Sequence, residues 1–131
     1  MAKEWGIYDC GSSSLLKPKL HLEYYKRIKF EETVQVKTIR LDEFVEQENI
    51  KHIDFIWLDI QGYEPIVLKD SPKTLDITRF IHTETQNTES YESGVLTPQF
   101  IDFMVSKGFT LIMDTARMFV DGGDLTFIKS V

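Results

Sequence analysis

The residue types best suited to chemistry are gathered in one turn. In "IDFIWLDIQGYEPIVL", residues 53–68, an apolar run stops at Asp59, and Gln61, Gly62 and Glu64 follow before a helical pattern takes over. A carboxylate at the tip of a buried strand, beside a glycine that permits a tight turn, can accept hydrogen bonds from a cationic or hydroxylated ligand. It also suits a hard cation bound through oxygen. A second stretch, "ITRFIHTE", residues 77–84, ends in Glu84, with His82 shortly before it. Ligands of open α/β sheets sit beyond the carboxyl ends of the strands. If these two strands are neighbours, Asp59 and Glu84 share one rim. Plainer readings stand beside this one. Asp59 also suits a helix cap, Glu64 in a first helical turn offsets the helix dipole, and His82 alternates with Phe80 and Glu84 as a structural histidine would. A metal-dependent site made from Asp59, Glu84 and His82 matches no strong ligand spacing, so no metal is assigned.

The elements that must position these residues follow from periodicity. "DFIWLDI" is nearly continuous in apolar residues, the pattern of a strand covered on both faces. The next helix takes Pro65 in its first turn, where a missing N–H is harmless. "TPQFIDFMVSKGF" reads as a helix with Thr97 as its cap, Pro98 at its start, an apolar face of Phe100, Ile101, Phe103 and Met104, and Gly108 at its close. "LDEFVEQEN" spaces its apolar residues as a short amphipathic helix. "TVQVKTI", residues 33–39, alternates as a half-exposed strand. Trp5 to Tyr8 suits a short strand, and "LHLEYYKRIKF" one or two helical turns. "FTLIMDT" and "DLTFIKSV" close the chain as a hairpin, with turn chemistry at Asp121-Gly122-Gly123. Strands and helices thus alternate, which predicts an α/β fold with a largely parallel sheet and one antiparallel strand at the end. "ETQNTESYESG" is read as a solvated loop whose place above the rim also permits a lid.

Composition narrows the function. The chain has 131 residues, 42% of them hydrophobic, enough for the core of one domain. Fifteen basic residues against 21 acidic ones give a net charge of −6. That disfavours sequence-blind nucleic-acid binding and docking on an anionic membrane, so neither partner is expected. Cys10, the single cysteine, excludes an internal disulfide or a thiolate zinc cluster. No stretch approaches the roughly 20 apolar residues of a membrane span, and the first residues lack a signal-peptide run. A soluble, cytoplasmic chain is expected. Ser12 to Ser14 lack a G-x-S-x-G context. The seven glycines form neither G-x-G-x-x-G nor a P-loop.

Taken in order, "SSSLL", "TVQVKTIRLDEF", "IDFIWLDIQGYEPIVLKDS" and "RFIHTE" resemble the C-terminal half of the FkbM-type methyltransferases. Asp59, Gln61, Gly62 and Glu64 match that family's D-x-E/Q-G-x-E turn, and "IVLKD" its helix. The similarity covers residues 11 to 113. It implies a Rossmann-like fold, S-adenosylmethionine as methyl donor, and O-methylation of a sugar or other small hydroxylated metabolite. By this resemblance Asp59 faces the donor or the acceptor hydroxyl and Glu84 lies at the neighbouring strand end, the two catalytic candidates. Gln61, Gly62, Glu64 and His82 are the ligand-binding candidates.

Family members carry three strand–helix units before this region, including the glycine-rich cofactor cradle. Residues 1–131 therefore read as a single truncated methyltransferase-like domain, inactive alone. The strand at 54–60 would lack one neighbour, and an apolar open edge templates pairing with another chain. A homo-oligomer or another sheet-edge partner is expected, or coverage by Trp5–Tyr8. The competing reading is a non-catalytic binding or assembly module that self-associates through the same edge.

Overall fold

In chain order the elements are α1 (His21–Tyr24), α2 (Leu41–Gln47), β1 (Ile53–Leu58), α3 (Glu64–Lys69), α4 (Pro72–Asp76), β2 (Thr78–Gln86), α5 (Thr97–Ser106), β3 (Phe109–Asp114), a 3-10 turn at Ala116–Met118, and β4 (Gly122–Lys129). They come from a computed structural model, which describes residues 11–130. The strand expected at Trp5–Tyr8 and Cys10 lie outside the described residues.

The four strands form one sheet in the order β1-β2-β4-β3. β1 runs parallel to β2, with Trp57 opposite His82 and Leu58 opposite Thr83. β4 is antiparallel to both β2 and β3. The α/β class is as expected. The largely parallel sheet is not: one pairing is parallel and two are antiparallel, because β4 inserts between β2 and β3 instead of adding at the edge.

Strand periodicity sorts β2 cleanly. Ile81, Thr83 and Thr85 are buried, while Phe80, His82 and Glu84 alternate with them on the opposite face. The buried side joins Leu125 and Phe127 of β4 and Phe109 of β3 with Leu68, Leu75, Phe100 and Met104 from α3, α4 and α5. Ile56 and Leu58 of β1 pack against the same core. The other side of β1 is bare: Phe55 is 52% and Trp57 71% exposed. The strand expected to be covered on both faces is covered on one, since α3, α4 and α5 all contribute to a single core. Among the described residues it is also the sheet's edge.

Residues 31–40 are exposed and belong to no strand. The alternating "TVQVKTI" has β-branched residues but no neighbouring strand among the described residues to take its backbone hydrogen bonds, and β structure needs that partner. Two helix details also differ. Thr97 is the first helical residue, after Leu96, and makes no cap bond; its hydroxyl instead lies 3.0 Å from the Gln86 carbonyl and 2.7 Å from Asn87 Oδ1. The short α4 is capped from another helix. Asp42 of α2 accepts hydrogen bonds from the Thr74 N–H and hydroxyl at 2.8 and 2.7 Å, and from the Lys73 N–H at 3.1 Å. Lys73 pairs with Glu46 on the same pair of helices. Gly108 closes α5 at φ +78°, where a side chain is disfavoured.

Candidate active site at the carboxyl rim of the sheet

One register step beyond Leu58 and Thr83 stand Asp59 and Glu84. The chain then reverses through Gln61 at φ 54° and Gly62 at φ 91°, both left-handed. Glu64 locks this turn from inside: its carboxylate is 1% exposed and accepts the Ile60 N–H at 2.7 Å. Burial raises the Glu64 pKa, and backbone N–H donors from Ile60 and Gly62 partly offset it. The first-turn glutamate therefore holds the turn together besides facing the helix dipole.

The turn brings three acids together. Carboxylate oxygens of Asp59, Glu64 and Glu84 lie within 4.8 Å of one another. Gln61 separates two of them: its Nε2 donates to Asp59 Oδ1 at 2.8 Å and to Glu84 Oε2 at 2.7 Å. Glu84 is half-buried, and its pKa is pushed up to about 8 by burial first, then by the charges of Asp59, Glu64 and Asp124. A carboxyl tuned in this way exchanges a proton near neutrality, the property of a general base or acid.

Beside these residues opens a cavity of about 470 Å³, lined by Gln61, Glu64, Glu84, Gln86, Tyr91 and Asp121 among others. Asp59 is exposed at the rim and is not part of the cavity wall. His82 stands apart from the acids. Its Nδ1 lies 2.9 Å from Thr126 Oγ1, its Nε2 4.0 Å from Asp124, and the Trp57 ring meets it edge-on. The metal set drawn from Asp59, Glu84 and His82 does not assemble, because His82 turns toward β4 while Glu64 comes in from α3.

Several cavity residues escape a reading by spacing. The segment 12–25 runs over the rim: Ser14 donates to the Gln61 carbonyl at 2.7 Å, and Tyr25 donates to Asp121 at 2.5 Å. That bond raises the Tyr25 pKa to about 12. The polar loop 87–94 is docked rather than free. The Lys19 N–H donates to the Ser90 carbonyl and the Glu92 N–H to the Lys17 carbonyl, both at 2.8 Å, and Tyr91 is 3% exposed. One tyrosine in an otherwise polar run was the available signal, since a large aromatic body seeks burial.

A strand-end rim of acids beside a cavity is where α/β sheets hold their ligands. Residues 6–111 match the methyltransferase FkbM domain, and the chain belongs to that family. Among curated proteins it is similar to the 2-O-methyltransferase NoeI of Sinorhizobium fredii (strain NBRC 101917 / NGR234), with 37% identity over 116 residues. The match takes in 88% of this chain and 45% of that relative, so the chain spans less than half of the relative's length. No solved structure gives a significant match. Among the described residues no helix is long and apolar enough to cross a membrane.

Proposed function

We propose that this chain forms the acceptor-facing half of a site for S-adenosylmethionine-dependent O-methyl transfer to a small hydroxylated molecule, a sugar being the first candidate. The observation that carries the reading is Glu84: a half-buried carboxyl at a strand end, hydrogen-bonded through Gln61 to Asp59, on the wall of a cavity. The relative's name, a 2-O-methyltransferase, supports a hydroxyl as the acceptor.

The residues present suit part of the cofactor. A sulfonium cation and ribose hydroxyls match a cluster of carboxylates within 4.8 Å. The sequence holds no G-x-G-x-x-G turn to cradle the rest. When bound, the cofactor supplies an electrophilic methyl group on cationic sulfur. This chain's part is to place the acceptor and manage its proton. Ionised Glu84 takes the proton from the acceptor hydroxyl, and the Gln61 amide holds the carboxylate in place by one N–H. Asp59 lends negative charge at the rim, facing the donor. Gln61, Gly62 and Glu64 shape the cavity wall. His82, outside the cavity, joins the site only through whatever packs on the bare face of β1.

The cradle is then supplied by further polypeptide, in the same chain or a partner, set against the open edge of β1. A second reading, a non-catalytic association module, is favoured by the same edge, with Trp57 71% exposed. Calorimetry of this chain with S-adenosylmethionine and S-adenosylhomocysteine separates the two. Binding at up to millimolar ligand that weakens in Asp59→Asn and Glu84→Gln supports the transfer site. Silence at millimolar ligand both from this chain and from this chain joined to polypeptide that carries a cofactor cradle overturns it and leaves the module.

A further inference from the structure

We propose that Tyr91 is a positioning residue: its buried hydroxyl fixes the side-chain amide of Gln61 so that both amide hydrogens stay on the carboxylates of Asp59 and Glu84. The functional weight of this rests on the reading of Glu84 as the base; the geometry stands without it.

The amide has one sensible orientation. Its nitrogen lies 2.8 Å from Asp59 Oδ1 and 2.7 Å from Glu84 Oε2. Turned over, it would set an oxygen against Asp59 and an ionised Glu84, with no donor between them, and would give up both N–H bonds. In the observed orientation both N–H groups are used, and Gln61 Oε1 is left to accept. Tyr91 Oη stands 2.9 Å from that oxygen and 2.9 Å from the Ser12 carbonyl, so its single hydrogen serves two acceptors. Both N–H groups and the oxygen of the Gln61 amide thereby have a partner, on a non-glycine residue whose backbone sits at φ 54°.

The hydroxyl is itself held. The Tyr91 ring packs against His21 at 5.2 Å between centroids, and a Cβ built on Gly62 would meet Tyr91 Cδ2 at 3.3 Å. Glycine at the turn therefore lets the ring come under it. Backbone bonds from Lys19 to Ser90 and from Glu92 to Lys17 pin the loop on either side of Tyr91. The loop that follows β2 thus sets the hydrogen bonding of acids on two strands, through one side chain that spacing alone would not single out.

Nuclear magnetic resonance of the intact chain tests this without any ligand. In the wild type the Tyr91 hydroxyl hydrogen should be protected from exchange with solvent and give a cross-peak to the Gln61 side-chain amide. Tyr91→Phe keeps the ring and removes the hydroxyl; the Gln61 Nε2 hydrogens should then change chemical shift and exchange faster with solvent, while backbone resonances of β2 and β4 stay in place. Gln61 Nε2 signals unchanged in shift and exchange by Tyr91→Phe overturn the proposal. Should the variant fail to fold, the wild-type cross-peak decides: its absence overturns the proposal. Failure of cofactor binding or methyl transfer would strike the functional reading and leave these resonances untouched.

Discussion

Asp59 and Glu84, on neighbouring parallel strands, share one hydrogen-bond donor: Gln61 Nε2 reaches the first at 2.8 Å and the second at 2.7 Å. A single amide cannot neutralise two carboxylates. Proton uptake by Glu84 is the remaining way to lower their repulsion, and it accounts for much of the chemistry expected of this rim.

Stability should record it. The Glu84 pKa rises from 4.5 to about 8 on folding, chiefly through burial and then through the charge of Asp59. Between those values the folded chain holds a proton that the unfolded chain has released. The contribution to stability is therefore full below about pH 4.5 and is lost as pH climbs through about 8. Discounted for the solvent-open part of the side chain, the loss is about 2 kcal/mol. Urea midpoints at pH 5 and pH 8.5 should fall in the wild type and stay level for this term in Glu84→Gln. Parallel behaviour of the two proteins would contradict the assignment.

Ligand charge should move the same proton. A sulfonium beside Glu84 favours its ionised form, so S-adenosylmethionine should displace up to about one proton on binding near pH 7. S-adenosylhomocysteine, whose sulfur is neutral, should displace fewer. Calorimetry in buffers of different ionisation enthalpy counts these protons. Equal counts for the two ligands would place the sulfur away from the acids.

Much of this rim could be read in advance, and the reasons are local. An apolar run ending in Asp59 and a stretch of β-branched and aromatic residues ending in Glu84 are strand signals that need no tertiary information, and the glycine stop at Gly108 is a helix signal of the same local kind. Strand order is different: nothing in "DLTFIKSV" says that it slides between β2 and β3. The unpaired stretch at 33–39 looks like a strand because β-branched residues alternate there, yet pairing decides whether a strand forms. The helix at 72–76 owes its start to Asp42, 32 residues before Thr74. Tyr91, His21 and Tyr25 reach the cavity through loop docking, which leaves no periodic trace.

Close backbone packing at the rim gives a sharper test. A Cβ on Gly122 would lie 2.1 Å from the Thr85 carbonyl oxygen, whereas one on Gly108 would meet nothing within 4 Å. Gly122→Ala should cost about 3 kcal/mol, since backbone must move. Gly108→Ala should cost about 1 kcal/mol, from its left-handed φ alone. Denaturant titration of both variants checks the order, and a reversed order would mean that β4 does not pair with β2 as described.

The edge of the sheet carries the last prediction. With Phe55 52% and Trp57 71% exposed on a strand paired on one side only among the described residues, the isolated chain should associate as its concentration rises, and Trp57→Lys should suppress this. Sedimentation velocity across a hundredfold range of concentration reads the outcome. A wild type that stays monomeric throughout would remove the edge as an interface.

The reach of Asp42 has a mechanical consequence. A seven-residue helix and a five-residue helix are each too short to persist alone in water. Joined through one carboxylate, they should open and close as a single cooperative unit. In hydrogen-exchange labelling the amides of 41–47 and 72–76 should then share one protection factor, and Asp42→Ala should unfasten both segments together while β2 and β4 keep theirs.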